Sequence, residues 1–166
     1  MKDEKTTSAQ QARETLIEAG GRIAQDFGFS RTAGQVLMGL YLNEGPAPLE
    51  DLEQALGLSK AAVSMACTRL EALGLIARVR VRGDRRRFYR SAENFHQALT
   101  VGIAGFLRTE LAKFGGEVAA AREALPSTGD ESRFMRSRLD RLGKLTGRMK
   151  TVLSSPAVRL LAGLAK

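Results

Sequence analysis

Seven arginines and a single acid fall between Arg78 and Arg90, in the order RVRVRGDRRRFYR. A guanidinium presents five donors in a rigid fork that matches phosphate or carboxylate oxygens two at a time. A run of this composition therefore suits a polyanion. As a mere solvated face, seven arginines facing one acid would repel each other without compensation. Arg82, Arg85, Arg86 and Arg87 lie nearest the glycine turn and are the candidate contacts, whereas Arg78 and Arg80 have acids elsewhere in the chain as rival partners. Asp84 sits where a carboxylate can orient a neighbouring arginine through a charge-assisted hydrogen bond.

Just upstream, residues 60–73 read as a helix with Ser59 as its N-cap and Gly74 at its end. Val63, Ala66, Cys67, Leu70 and Leu73 share one stripe of that helix, and Lys60, Ala61, Ser64, Met65 and Thr68 share another. Small, mostly polar side chains beside an apolar stripe suit a helix that lies in a DNA groove. Ser59 and Lys60 fit phosphate, and Ala61 or Met65 fits a thymine methyl. An ordinary solvated helix surface is the plain alternative.

Other chemistry finds no support. One cysteine and one histidine do not make a zinc site, and a lone cysteine excludes an intramolecular disulfide. Cys67 reads as a small core residue rather than a redox switch, and His96 as a surface residue. No nucleophile paired with a base, no phosphate-binding glycine loop and no paired carboxylates stand out, so neither catalysis nor a cofactor is expected. Phe106, Phe114 and Tyr41 read as core rather than as a ligand cage.

The net charge of +8 is unevenly spread. Residues 1–77 carry 7 basic and 10 acidic side chains, so the excess begins at Arg78 and continues through the C-terminal part. The polar opening MKDEKTTSAQ and the lack of a long apolar run lead to the expectation of a cytoplasmic chain with no membrane partner.

The elements that hold these residues follow from spacing and turn chemistry. Residues 1–9 read as a disordered lead. Residues 10–27 read as a helix with Ala12, Leu16, Ile17, Ile23 and Ala24 inward, weakened or bent at Gly20 and Gly21. Ser30 caps a helix over 31–43, and Leu49, Leu52 and Leu56 mark a short helix over 49–56 ended by Gly57. Ala77, Val79 and Val81 alternate with arginines as a half-buried strand, which turns at Gly83 and Asp84 into a return strand from Arg87. Helices follow over 95–125 and from Met135, where Leu139, Leu142, Leu145 and Met149 recur at three-four spacing like a coiled-coil seam. A last short helix starts at Ser155 and Pro156. Arg133, Arg136, Arg138, Arg141, Lys144, Arg148 and Lys150 face one acid, Asp140, most simply as a solvated helix side.

Three ordered segments, GFSRTAGQVLMGLYL, LSKAAVSMACTRLEALGLIARV and GDRRRFYR, resemble the winged helix-turn-helix of the MarR superfamily, in its GbsR-like branch. The resemblance covers roughly residues 20–90. It implies a mainly α fold with a small β-wing: a DNA-binding domain over 10–91 and a helical dimerisation or effector region over 92–166. It further implies that Ser59, Lys60, Ala61, Ser64, Met65, Thr68 and Arg69 touch the major groove, that Arg82, Arg85, Arg86 and Arg87 touch the minor groove or backbone, and that Asp84 supports the wing. Phe106, Phe114, Met135, Leu139, Leu142 and Met149 are then the expected dimer interface. The expected function is a homodimeric transcriptional regulator, a repressor, on a palindromic double-stranded operator, tuned by a small-molecule effector. A winged-helix protein-interaction module and a nonspecific nucleic-acid binder are the alternatives.

Overall fold

The architecture was obtained as a computed structural model that describes the backbone of residues 2–157 and the side chains of residues 8–157. The chain divides into two units, Met1–Ala98 and Leu99–Lys166.

In the first unit, helix α1 (Lys2–Asp26) precedes α2 (Arg31–Tyr41). Ser30 starts α2 as expected, its hydroxyl accepting from the Ala33 N–H at 3.1 Å. α1 begins at Lys2, well ahead of residue 10. It also runs straight through Gly20 and Gly21, and the reason is packing rather than flexibility. A Cβ on Gly34 would lie 2.2 Å from the Gly20 carbonyl oxygen, and a Cβ on Gly20 would lie 2.1 Å from Met38 Cγ. The two helices cross backbone to backbone, which only glycine permits. Arg13 closes the same joint by donating to the Leu42 and Gly39 carbonyls at 2.8 and 3.1 Å, at the C-terminal end of α2. Glu18 accepts from Arg31 and from Gln35, and these bonds hold its carboxyl below the usual range, Gln35 having the larger effect.

A two-residue strand β1 (Ala47–Pro48) leads into α3 (Leu49–Leu56), then α4 (Lys60–Ala72), β2 (Ile76–Val79) and β3 (Phe88–Ser91). The sheet is antiparallel in the order β1-β3-β2, with Ala47 opposite Tyr89 and Val79 opposite Phe88. Between α3 and α4, Gly57 adopts φ 62°, a left-handed turn that a Cβ would disfavour. Ser59 caps α4 by accepting from the Ala62 N–H. Val36, Leu40, Leu49, Val63 and Cys67 are completely buried and join α2, α3 and α4 into one core, closed by Ile76, Phe88 and Tyr89 from the sheet.

Two expectations need correction, and one strand was not expected at all. Val81 is not a strand residue: β2 stops at Val79, and Val81 is exposed in a loop that extends to Arg87. Leu16 and Ile23 are not inward: α1 buries Ile17 and leaves both of them exposed. Strand β1 carried no alternating pattern; it exists because β3 offers it a pairing edge, and because the Leu49 N–H donates to the Arg87 carbonyl at 2.9 Å.

In the second unit, α5 (Phe95–Glu123), which starts in the first, is followed by α6 (Asp130–Leu153). Arg122 pairs with Asp140 at 2.5 Å, and Arg136 donates to the Leu125 and Pro126 carbonyls in the turn after α5. Val118 and Thr146 are buried at their contact. The short helix expected from Ser155 lies largely outside the described residues.

Candidate nucleic-acid interface

α4 turns its apolar stripe inward and leaves Lys60, Ala61, Met65, Thr68 and Arg69 exposed, with Ser64 half-buried. Met65 is 73% exposed, the most open large apolar side chain among the described residues. Such a side chain on a soluble surface suits an apolar contact with a base edge. The Ser59 hydroxyl is engaged as the helix cap, and Thr68 donates to the Ser64 carbonyl at 3.0 Å. Arg69 stacks over the Phe29 ring, its guanidinium carbon 5.3 Å from the centroid.

The wing loop turns at Gly83, whose φ of 85° calls for glycine. Asp84 organises the tip. Its Oδ1 accepts from the Arg86 N–H at 2.9 Å, and its Oδ2 accepts from Arg86 Nε and Nη2 at 2.9 and 2.8 Å. The side-chain bonds from Arg86, followed by the backbone bond, hold the Asp84 carboxyl below its ordinary range, and the same side-chain bonds push the Arg86 guanidinium up. Arg86 also lies over the Phe88 ring at 5.3 Å. Arg82 and Arg85 are exposed, and Arg87 is half-buried at the base of the wing.

Two acids that the sequence reading passed over connect this loop to α4. Asp51 accepts from Arg86 Nη1 at 3.4 Å, and Glu50 lies 3.8 Å from Lys60. Glu50 and Asp51 are neighbours in the first turn of α3, so the start of α4 and the wing tip converge on one turn. No local signal marks this, because Asp51 is thirty-five positions from Arg86.

Cys67 lies in the core, where burial pushes its thiol up to about 11. His96 is exposed. Among the described residues no three His, Cys, Asp or Glu side chains group to hold a metal, and no helix is long and apolar enough to cross a membrane.

Of the expected interface residues in the second unit, Phe114, Met135, Leu142 and Met149 are exposed, while Phe106 and Leu139 are half-buried. Leu139 lines a groove with Val118 and Ala119 of α5, on the side of α6 that packs within the unit. Phe134, Leu145 and Val152 extend the exposed stripe of α6. The sequence reading missed a second stripe: Leu16, Ile23 and Phe27 on α1 and its terminal turn, the last two 57% and 67% exposed.

Residues 27–87, the span from α2 to the wing, match a model of the MarR family. Two proteins of Bacillus subtilis (strain 168) are similar. One is described as a putative HTH-type transcriptional regulator, YvaV, 28% identical over 97 residues that make up 58% of this chain and 55% of that protein. The other is described as the HTH-type transcriptional repressor OpcR, 30% identical over 86 residues, 52% of this chain and 46% of that protein. The chain thus spans about half the length of the curated relatives it matches. A solved structure described as a transcriptional regulator is similar with a TM-score of 0.73 at 24% identity, covering 92% of this chain and 99% of that one, a likeness of fold. The fold is mainly helical with a small antiparallel wing, as expected. These likenesses place the segment over residues 27–87 beside MarR-type sequences, and the two similar proteins are described as HTH-type transcriptional regulators.

Proposed function

We propose that this chain, MarR-like over the segment that carries α4 and the wing, is a homodimeric regulator that represses transcription from a palindromic operator. In this reading α4 enters the major groove of each half-site, with the half-sites about one helical turn apart, and the wing follows the backbone or the minor groove. Lys60, Arg82, Arg85, Arg86 and Arg87 neutralise phosphates and set the register. Ala61, Ser64, Met65 and Thr68 face the base edges. Arg69, stacked on Phe29, holds α4 against the turn before α2 as well as reaching the backbone.

The observation that carries the proposal is the convergence of the α4 start and the arginine loop on the first turn of α3, which brings cations of two different elements to one place. The description of OpcR as a repressor supports the negative sign of regulation, and the three matching segments support the GbsR-like branch. Dimerisation rests on the exposed apolar stripes of α1 and α6, surfaces of a kind that mark interaction sites. A small molecule that alters the separation of the two α4 helices would be the effector, and the cytoplasm is the site of action.

Selection of fragments bound from the source genome, followed by footprinting, tests this reading. A protected inverted repeat upstream of a gene is expected, with affinity falling steeply with salt. Equal affinity for every duplex would indicate a nonspecific binder instead. Salt-insensitive or absent binding would indicate a protein-interaction module.

A further inference from the structure

We propose that Glu50 and Asp51 form an acidic latch that competes with DNA phosphates for Lys60 and Arg86, and so sets how tightly the free protein takes up any duplex. The inference rests on the DNA-binding reading above and concerns residues that reading does not use.

Acids are out of place on a surface that must approach a polyanion, since each repels phosphate. The ordinary explanation for two carboxylates in the first turn of a helix is its macrodipole. It has force here, because the N-cap of α3 is Pro48, which provides no side-chain cap bond. It does not explain their direction. Glu50 is directed at Lys60 and Asp51 at Arg86, one cation from each of the two elements expected to meet DNA.

The two acids on Arg86 are not equivalent. Asp84 takes Nε and Nη2 together at 2.9 and 2.8 Å, a bidentate grip that orients the guanidinium. Asp51 takes the remaining Nη1 at 3.4 Å, through side chains that are 48% and 61% exposed. A phosphate arriving at the wing can replace Asp51 while Asp84 keeps the arginine aimed. The Lys60 pair at 3.8 Å is equally open to replacement, with side chains 64% and 40% exposed. Exposed pairs of this kind are weak and screened by salt, as a latch that yields to phosphate must be. Asp84 therefore aids binding and Asp51 opposes it, although both contact the same arginine.

The test is fluorescence anisotropy of the full chain with a random-sequence duplex, at low and near-physiological salt, with thermal melting to verify each variant's fold. Asp51→Asn and Glu50→Gln are each expected to raise affinity roughly two- to fivefold at low salt, with the gain shrinking as salt increases. Asp84→Asn is expected to lower affinity. Glu14→Gln, the same charge change on exposed α1, should have no effect. Unchanged or weaker binding by the Asp51 and Glu50 variants, or an equal gain from Glu14→Gln, overturns the latch while leaving the DNA-binding reading intact. A wild-type protein that binds no duplex at low salt overturns both.

Discussion

Arg86 is surrounded by Asp84, Asp51 and the Phe88 ring, whereas Arg82 and Arg85 extend into solvent. The wing tip is therefore one oriented guanidinium among freer ones. Replacing Arg85 and Arg86 together by Ala should weaken operator binding by about tenfold or more and flatten the salt dependence by roughly 0.9 for each phosphate no longer neutralised. The thermal midpoint should hardly change, since both side chains are exposed; undiminished affinity at near-physiological salt would remove the wing from the mechanism. The Asp84 carboxyl is held low in the folded state, so its contribution to wing order is present above the ordinary carboxylate range and is lost as pH falls through its folded value. An NMR titration should place its midpoint below the ordinary Asp value of about 3.9, and a midpoint at or above that value would mean the grip on Arg86 does not persist in solution. Cys67, its thiol raised to about 11 by burial, should resist thiol reagents near neutral pH until the protein is unfolded. Rapid labelling of the native protein would contradict the packing of the core. At this scale the sequence was half legible. Asp84 was readable as a wing support because its partner is two residues away, while Asp51, Glu50 and Phe29 were not, because their partners are distant along the chain and only the folded α2–α4 arrangement brings them close.

Elements obeyed their punctuation. Ser30 and Ser59 start helices and Gly57 and Gly83 reverse the chain, as turn and cap chemistry requires. Periodicity misled where one helix has two apolar sides. α1 has Ile17 against the core and Leu16 with Ile23 in the open, and a single stripe drawn through all of them mixed the two. Periodicity also carried β2 too far, since the Arg-Val alternation continues to Val81 but the pairing partner β3 begins only at Phe88, opposite Val79. The glycines of α1 were legible as unusual and illegible in purpose. Gly34→Ala should lower stability by about 1–3 kcal/mol or more, because its methyl would be driven into the Gly20 carbonyl and the Ala24 side chain. A shift of the thermal midpoint by several degrees is the expected readout. Gly116→Ala in α5 meets nothing within 4 Å and makes the matched control, with an expected small gain in helix stability.

At the scale of the whole molecule, the exposed apolar residues of α6 are the surface on which the proposed dimer rests. Leu142→Glu places a carboxylate in the exposed stripe of α6 and should convert the proposed dimer to a folded monomer, measured by sedimentation with unchanged far-ultraviolet circular dichroism. Persistence of the dimer would move the interface off that stripe. The same kind of stripe on α1 has a mechanical meaning. α1 and its terminal turn leave Leu16, Ile23 and Phe27 exposed, while at Gly20 the peptide backbone of α1 lies close against Gly34 of α2, with only Met38 and Ala24 side chains beside the contact. Cushioned joints have play: side chains change rotamer and absorb small displacements. This one has little, so a displacement of α1 is expected to carry α2 with it rather than being absorbed by repacking at Gly20 and Gly34.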